Sequence, residues 1–236
     1  MAMSKTALVY ARLKQDLLNG VFTPGSKLRI EALCARYEVS PGAVREALSR
    51  LVAEKLVQSV DQRGFIVTPI STEDLIDLTA VRIEIELKCL SRAIRIGDLN
   101  WEAGIAAAWH RLSHSDKIDP KQTGIINPAW TEAHGQFHDA LIAAADSTWW
   151  LRLRGQMSLQ TERYRRLLMP FAKVARDVDA EHADLVAAVL ARDTARACEA
   201  MRDHMQRTAD ILLASDAPFI DAPKAPGKAT SKLKES

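Results

Sequence analysis

Cysteine is scarce. Three residues in 236, Cys34, Cys89 and Cys198, stand too far apart for a disulfide framework, and no CxxC pair offers a zinc-ribbon or redox motif. Long apolar runs are absent too. None approaches the roughly 20 residues that cross a bilayer, and the N-terminus lacks the apolar core of a secretory signal. The expectation is a cytoplasmic protein with no membrane partner. Net charge is only +2, from 32 Lys/Arg against 30 Asp/Glu, which argues against coating a polyanion along the whole chain. No HExxH spacing and no internal repeat occur.

What charge there is lies unevenly. Residues 1–70 hold ten Lys/Arg against six Asp/Glu, whereas residues 71–215 hold eighteen against twenty-one. A basic front on a slightly acidic body fits a DNA-binding head joined to a soluble sensing domain. The front is organised around Ile30 to Thr68, IEALCARYEVSPGAVREALSRLVAEKLVQSVDQRGFIVT. Ile30, Leu33, Cys34 and Tyr37 share one face of a helix, and Glu38-Val39-Ser40 reads as a turn. Ser40 is a good N-cap, and Pro41 stands at the first helical position, where its missing N–H costs nothing. Val44, Ala47, Leu48, Leu51 and Val52 form the buried stripe of the second helix. After Leu56 the period changes to two, Arg63-Gly64 makes a tip, and Phe65 to Thr68 returns.

That is the pattern of a winged helix-turn-helix, whose second helix lies in the major groove. The residues expected at double-stranded operator DNA are Ser40, Gly42, Ala43, Arg45 and Arg50 on the helix, with Arg63 and Gly64 at the wing tip. Arginine suits the role because its planar fork grips guanine or phosphate with two bonds.

Ahead of the motif, Thr6 to Asn19 reads as a helix stopped by Gly20, and Phe22-Thr23-Pro24-Gly25 as a turn. Behind it, helices are expected over Asp74–Ile96, Asn100–Leu112, Pro128–Ala145, Thr148–Leu168, Asp179–Ala191 and Thr194–Ala214, with a loop over Ser113–Asn127 and no strand. The fold class is mainly α: an N-terminal winged helix-turn-helix over 1–70, then an all-α helical bundle over 71–215. Residues 216–236, with their prolines and scattered lysines, read as a disordered tail.

Histidine is the second signal. His110 and His114 lie off the Trp101/Ile105/Trp109 face and read as solvated. The other four do not. His134 and His138 stand at i, i+4 on the stripe of Phe137 and Leu141. His182 shares a stripe with Leu185, Val186 and Val189, and His204 falls between Met201 and Thr208. Three helices thus aim imidazole into the bundle seam. One inward histidine is most often a hydrogen-bonded core residue. Four on converging stripes are also a set of neutral nitrogen ligands for a divalent metal, zinc or nickel. Arg82 and Glu86 interrupt an otherwise apolar stripe at i, i+4, a spacing that allows an internal ion pair. In the run Arg163 to Arg166, Arg163 is a candidate to line the same cavity, and Arg165 and Arg166 read as a solvated or subunit-facing surface.

V-S-P-G-A-V-R-E-A-L-S-R-L followed by R-G-F-x-V closely resembles the GntR-type bacterial transcription regulators. Ser40, Val44, Arg45 and Glu46 match the usual string, while Pro41, Gly42 and Ala43 replace Arg, Thr and Pro. F-H-x-A-L, then E-H, then M-x-x-H resembles the ligand-binding helical domain of the FadR subfamily, in order over residues 74–213. The resemblance implies a metal at His138, His182 and His204, with His134 where many members carry Asp. It implies a small organic acid effector held with help from an arginine at the place of Arg82, a bundle that also pairs two copies as a homodimer, and regulation that is more often repression. Two rivals stand beside it. One is a metal-dependent hydrolase on a helical bundle, with Glu181 or Asp184 as base. The other is a constitutive DNA-binding protein with a structural metal.

Overall fold

The computed structural model describes residues 4–62, 64–118, 126–172 and 176–217. They form two compact units, one built on Met1–Asp74 and the other on Leu75–Asp216. The expected disordered tail lies outside the described residues from 218 onward, as does the wing-tip Arg63.

In the first unit, α1 (Lys5–Leu18), α2 (Ile30–Tyr37) and α3 (Pro41–Ala53) enclose a core of Val9, Leu13, Leu17, Leu33, Val44, Ala47, Leu48 and Leu51. The cap at α3 follows the sequence argument. Ser40 Oγ accepts from the Ala43 N–H at 3.4 Å, and Pro41 occupies the first turn. The turn between α2 and α3 is made by Glu38 in the left-handed region, φ 55°, where a side chain is uncommon. Asp16 of α1 fastens α2 by accepting from Tyr37 Oη at 2.7 Å and from Arg36 Nε at 3.0 Å.

The wing consists of β2 (Val57–Val60) and β3 (Gly64–Val67), paired antiparallel from Val57↔Val67 to Val60↔Gly64. A third strand, β1 (Lys27–Leu28), was not expected. It pairs antiparallel with β3 at Lys27↔Ile66 and Leu28↔Phe65, giving the order β1-β3-β2. Two residues are too short to show a period, so the strand is defined only by its partner.

The second unit is a bundle of six helices among the described residues: α4 (Thr72–Ile96, whose first turn lies in the first unit), α5 (Leu99–Ser113), α6 (Pro128–Ile142), α7 (Thr148–Leu168), α8 (Val178–Leu190) and α9 (Thr194–Leu213). A 3-10 turn over Met169–Phe171 extends α7 and was not foreseen. Most of these helices start on a side-chain cap. Asp98, Asn127, Ser147, Asp177 and Asp193 each accept from a backbone N–H in the following turn. Helix α6 ends three residues before the expected Ala145, because Ala143 to Asp146 turn towards the α7 cap. The core runs through Cys89, Leu90, Ala93, Ile105, Leu112, Phe137, Leu141, Leu185, Val189, Ala197 and Met201. The only β feature described after the wing is a single bridge, Ile118↔Ile126.

Gly97, just past α4, sits against Trp101. A Cβ there would lie 2.1 Å from the indole Cε3 and 2.8 Å from the Ala93 carbonyl oxygen. The indole itself is fixed, since its Nε1 donates to the Ala140 carbonyl at 2.9 Å. This tight approach joins the ends of α4, α5 and α6.

Candidate functional site

Helix α6 carries His134 and His138 one turn apart, α8 carries His182 and α9 carries His204. One ring nitrogen of each lies within 4.8 Å of the corresponding nitrogen of every other. Ring centroids are 4.6 Å apart for His134–His138, 4.7 Å for His182–His204 and 5.2 Å for His138–His204. His138, His182 and His204 are buried and His134 is half-buried. Phe137 and Trp109 pack around His182, and the ring of His134 stacks on Trp130 at 4.8 Å. The structure therefore brings together all four histidines singled out in the sequence. His110 and His114 are exposed and pack on each other.

The nitrogen accounting points to a ligand. His138 Nδ1 and both nitrogens of His182 are buried without a hydrogen-bond partner. Such orphans are costly in a core and are the form in which imidazole binds metal. Burial pushes all four pKa values below the ordinary histidine value, and the positive neighbours Arg82, Arg165 and Arg176 push the same way, so the rings are neutral. A tetrahedral zinc site with Zn–N bonds near 2.0–2.1 Å has nitrogens about 3.4 Å apart. The cluster, at up to 4.8 Å, would need to close by roughly an ångström to reach that spacing. These residues fit a divalent ion.

Arginines flank the cluster. Arg82 on α4 is nearly buried, and its guanidinium does not close on Glu86: Nε stands 3.8 Å from Oε2 and makes no hydrogen bond. Arg154 of α7, which the sequence reading did not single out, is the residue that takes Glu86. Its Nε donates to both carboxylate oxygens at 3.2 and 3.1 Å, its Nη2 to Oε1 at 3.1 Å, and its Nη1 pairs with Asp139. Glu86 is the visible half of that pair in the sequence, as an acid inside an apolar stripe. Its partner lies 68 residues away, where no periodicity connects them. Burial, the largest effect, pushes the Arg82 pKa down and the charges of Arg154 and Arg165 add to it, against the opposing pull of Glu86 and Glu162. Arg82 is thus a cation beside the histidines without a hydrogen-bonded acid.

Arg165 corrects an expectation. It is buried rather than solvated, donating to both oxygens of Glu162 at 2.8 and 2.9 Å with its guanidinium over Trp130 at 5.4 Å. Arg163 is buried as well. Its Nη1 donates to Gln160 at 3.5 Å and its guanidinium lies 6.0 Å from the Tyr164 ring. The charges of Arg165 and Arg82 act on His134.

In the first unit, α3 exposes Ser40, Gly42, Arg45, Glu46, Ser49 and Arg50, with Ala43 half-buried. Space around Gly42 is open, with Ser40 Oγ the nearest atom at 4.0 Å from a Cβ built there. Arg50 is engaged, its guanidinium 3.8 Å from the centre of the Tyr10 ring. Gly64 begins β3 with φ 79°, as the tip requires.

A winged helix-turn-helix joined to an all-α unit with a buried histidine cluster defines a class, the transcription regulators with a separate helical domain. Comparison with known proteins agrees. Residues 5–67 match the family profile described as bacterial regulatory proteins, gntR family, and residues 77–207 match the FCD domain. BphR of Paraburkholderia xenovorans (strain LB400), named an uncharacterized HTH-type transcriptional regulator, is 43% identical over 203 residues, covering 86% of this chain and 83% of its own. GlaR of Escherichia coli (strain K12), named an HTH-type transcriptional repressor, is 38% identical over 207 residues, covering 86% and 93%. Among solved structures, E. coli McbR/YncC shares the fold at a TM-score of 0.70 and 21% identity, over 89% of this chain and 98% of its own. The chain belongs to the GntR family of bacterial transcription regulators and carries an FCD domain. It is a DNA-binding regulator, not an enzyme, and the hydrolase reading is set aside. No described helix is long and apolar enough to cross a membrane.

Proposed function

We propose that this regulator is a cytoplasmic repressor that binds a palindromic operator as a homodimer and releases it when a small organic acid occupies the bundle. The observation that carries the reading is the four-histidine cluster with its orphaned nitrogens beside Arg82, whose Nε makes no hydrogen bond to its ion-pair partner Glu86. His134, His138, His182 and His204 would hold a divalent ion, zinc or nickel, which supplies a Lewis-acidic position for an oxygen. Arg82 offers parallel N–H donors to a carboxylate, with Arg163 a further candidate to line the cavity. Repression is favoured by the name of GlaR and by nothing in the site itself.

At the DNA, the basic exposed face of α3 suits the major groove. Arg45 is its unpaired arginine, and Gly64 marks the wing tip next to Arg63. Two recognition helices in a dimer read half-sites about one helical turn apart. Coupling requires that the acid bind the DNA-competent and DNA-incompetent arrangements unequally. A tenfold loss of DNA affinity corresponds to about 1.4 kcal/mol of difference.

The test uses full-length protein loaded with zinc and a DNA site selected from a random-sequence pool. Fluorescence anisotropy is followed while a panel of short hydroxy- and dicarboxylic acids is added. At least one acid should release the DNA from the wild type and fail to do so with Arg82→Ala, while Arg45→Ala should lose DNA affinity in the absence of any acid. An acid that binds tightly without changing DNA affinity would overturn the sensing half. Undiminished binding by Arg45→Ala would overturn the docking half.

A further inference from the structure

Beside the cluster, a second group of charged residues is hydrogen-bonded to His204. Glu181 Oε2 lies 3.0 Å from His204 Nδ1. Glu181 is held in turn by Arg176, whose Nε donates to Oε1 at 2.8 Å and whose Nη2 pairs with Oε2, and by Arg207 Nη1 at 2.9 Å. Arg176 also reaches α9 itself, donating from Nη1 to Thr208 Oγ1 at 2.7 Å and from Nη2 to the His204 carbonyl at 2.8 Å. Nothing in the sequence patterns marks Arg176, which precedes α8 in a loop.

Counting hydrogens decides the tautomer. Arg176 Nη2 also lies 3.2 Å from His204 Nδ1, so two assignments compete. A guanidinium Nη carries two hydrogens. Those of Arg176 Nη2 already go to Glu181 Oε2 and to the His204 carbonyl. None is left for Nδ1. If Nδ1 were bare, its lone pair would face an ionised carboxylate at 3.0 Å, which is repulsive. Nδ1 therefore carries the hydrogen and donates it to Glu181. The lone pair of the ring is then on Nε2, the form a metal needs. Among the described residues the other cluster histidines show no such carboxylate, and His182 has no hydrogen-bond partner at either nitrogen.

We propose that Glu181, clamped by Arg176, is a positioning residue that fixes His204 as the Nδ1–H tautomer and presents Nε2 to a bound divalent ion. The inference rests on the metal reading above and adds which histidine is pre-set and by what. His204 is the ligand oriented before metal arrives, while His182 and His138 acquire their order from the ion. Carboxylate partners of ligating histidines typically govern metal affinity by about 10–100-fold.

The experiment has two arms on the full-length chain. In metal-free protein labelled with 15N-histidine, long-range proton–nitrogen spectra should show His204 as Nδ1–H. Glu181→Ala should shift it towards Nε2–H, and Glu181→Gln, whose amide oxygen still accepts, should retain Nδ1–H. In the second arm zinc chloride is competed against a chromogenic chelator. Glu181→Ala should bind zinc about 10–100-fold more weakly, with Glu181→Gln recovering part of the loss. Wild-type His204 found as Nε2–H overturns the proposal, as does a Glu181→Ala protein that folds and binds zinc as tightly as wild type. The wild-type tautomer needs no variant, so a failure of Glu181→Ala to fold leaves the first arm decisive. A wild type that takes up no zinc but shows the expected tautomer sinks the metal reading, and with it the ligand role of His204.

Discussion

Replacing Glu86 with alanine should be among the most damaging single changes in the second unit. Glu86 is 0% exposed and accepts three hydrogen bonds from Arg154, whose side chain is 7% exposed. Without it, Arg154 keeps the exposed Asp139, and Arg82, 14% exposed, loses the acid it is ion-paired with. Neither guanidinium sheds its proton near neutral pH, so the charge stays and is left poorly compensated. Breaking a buried pair in this way costs about 3–5 kcal/mol. In a protein of this size 1 kcal/mol moves the midpoint by roughly 2–4 °C, so the fall should be roughly 6–20 °C. All five tryptophans, 101, 109, 130, 149 and 150, lie in the second unit, so tryptophan fluorescence during thermal or urea unfolding reports that unit. The double variant Glu86→Leu/Arg154→Met removes both charges and should recover much of the loss. A Glu86→Ala protein within about 1 kcal/mol of wild type would refute the reasoning, because losses that small belong to solvent-screened surface pairs.

Two further outcomes follow from the packing and the charges. The four cluster histidines have pKa values depressed by burial, so in metal-free protein the unfolded chain takes up protons as pH falls through about 6.5 while the folded chain does not. Their contribution to stability is intact above that value and erodes below it, by up to about 1.4 kcal/mol per pH unit for each histidine, until the folded pKa values are reached. Urea unfolding at a series of pH values between neutral and mildly acidic measures it, and a flat profile would contradict the buried neutral assignment. Gly97→Ala forces a methyl into the fixed Trp101 indole and should cost about 1–3 kcal/mol. Gly155→Ala, within α7 with open space around it, should stabilise by about 0.5–1 kcal/mol, and equal effects at the two positions would argue against the close approach at Gly97.

Much of the fold was legible because it is carried by local period and caps. Ser40-Pro41 announced α3, and Thr148–Leu168 was read with the bounds the structure shows. What stayed hidden depends on distant chain. Strand β1 is two residues long and is a strand only because β3 lies beside it. The histidine quartet was visible because each ring shares a stripe with core residues of its own helix. Arg154 and Arg165 were not, since an arginine on an amphipathic helix looks the same whether it faces water or a buried acid. Glu86 decides the first case, and Glu162 with Trp130 decides the second. Arg176 was invisible for a stronger reason. It lies in a loop, and its role is defined by Glu181, His204 and Thr208 together.

The charge balance around the cluster bears on what it would accept. None of its four members is an acid, so a divalent ion held there would keep its full charge. Glu181 lies 3.0 Å from His204 Nδ1. Burial pushes its pKa up, yet hydrogen bonds from Arg176, His204 and Arg207 outweigh that and hold it well below the usual range. Its negative charge is spent on those partners. Glu86 is likewise committed to Arg154, and Glu162 to Arg165 and Arg166. Arg82 shares Glu86 with Arg154, its Nε 3.8 Å from Oε2 without a hydrogen bond, so one carboxylate is divided between two guanidinium groups. At an effective dielectric near 20, two unit charges 4 Å apart interact by about 4 kcal/mol, large against the 1.4 kcal/mol that changes an affinity tenfold. An anion relieves both the ion and the guanidinium at once, and a neutral molecule of the same shape relieves neither. With histidine at position 134, a divalent ion bound as proposed would leave its charge to be offset by an anionic ligand.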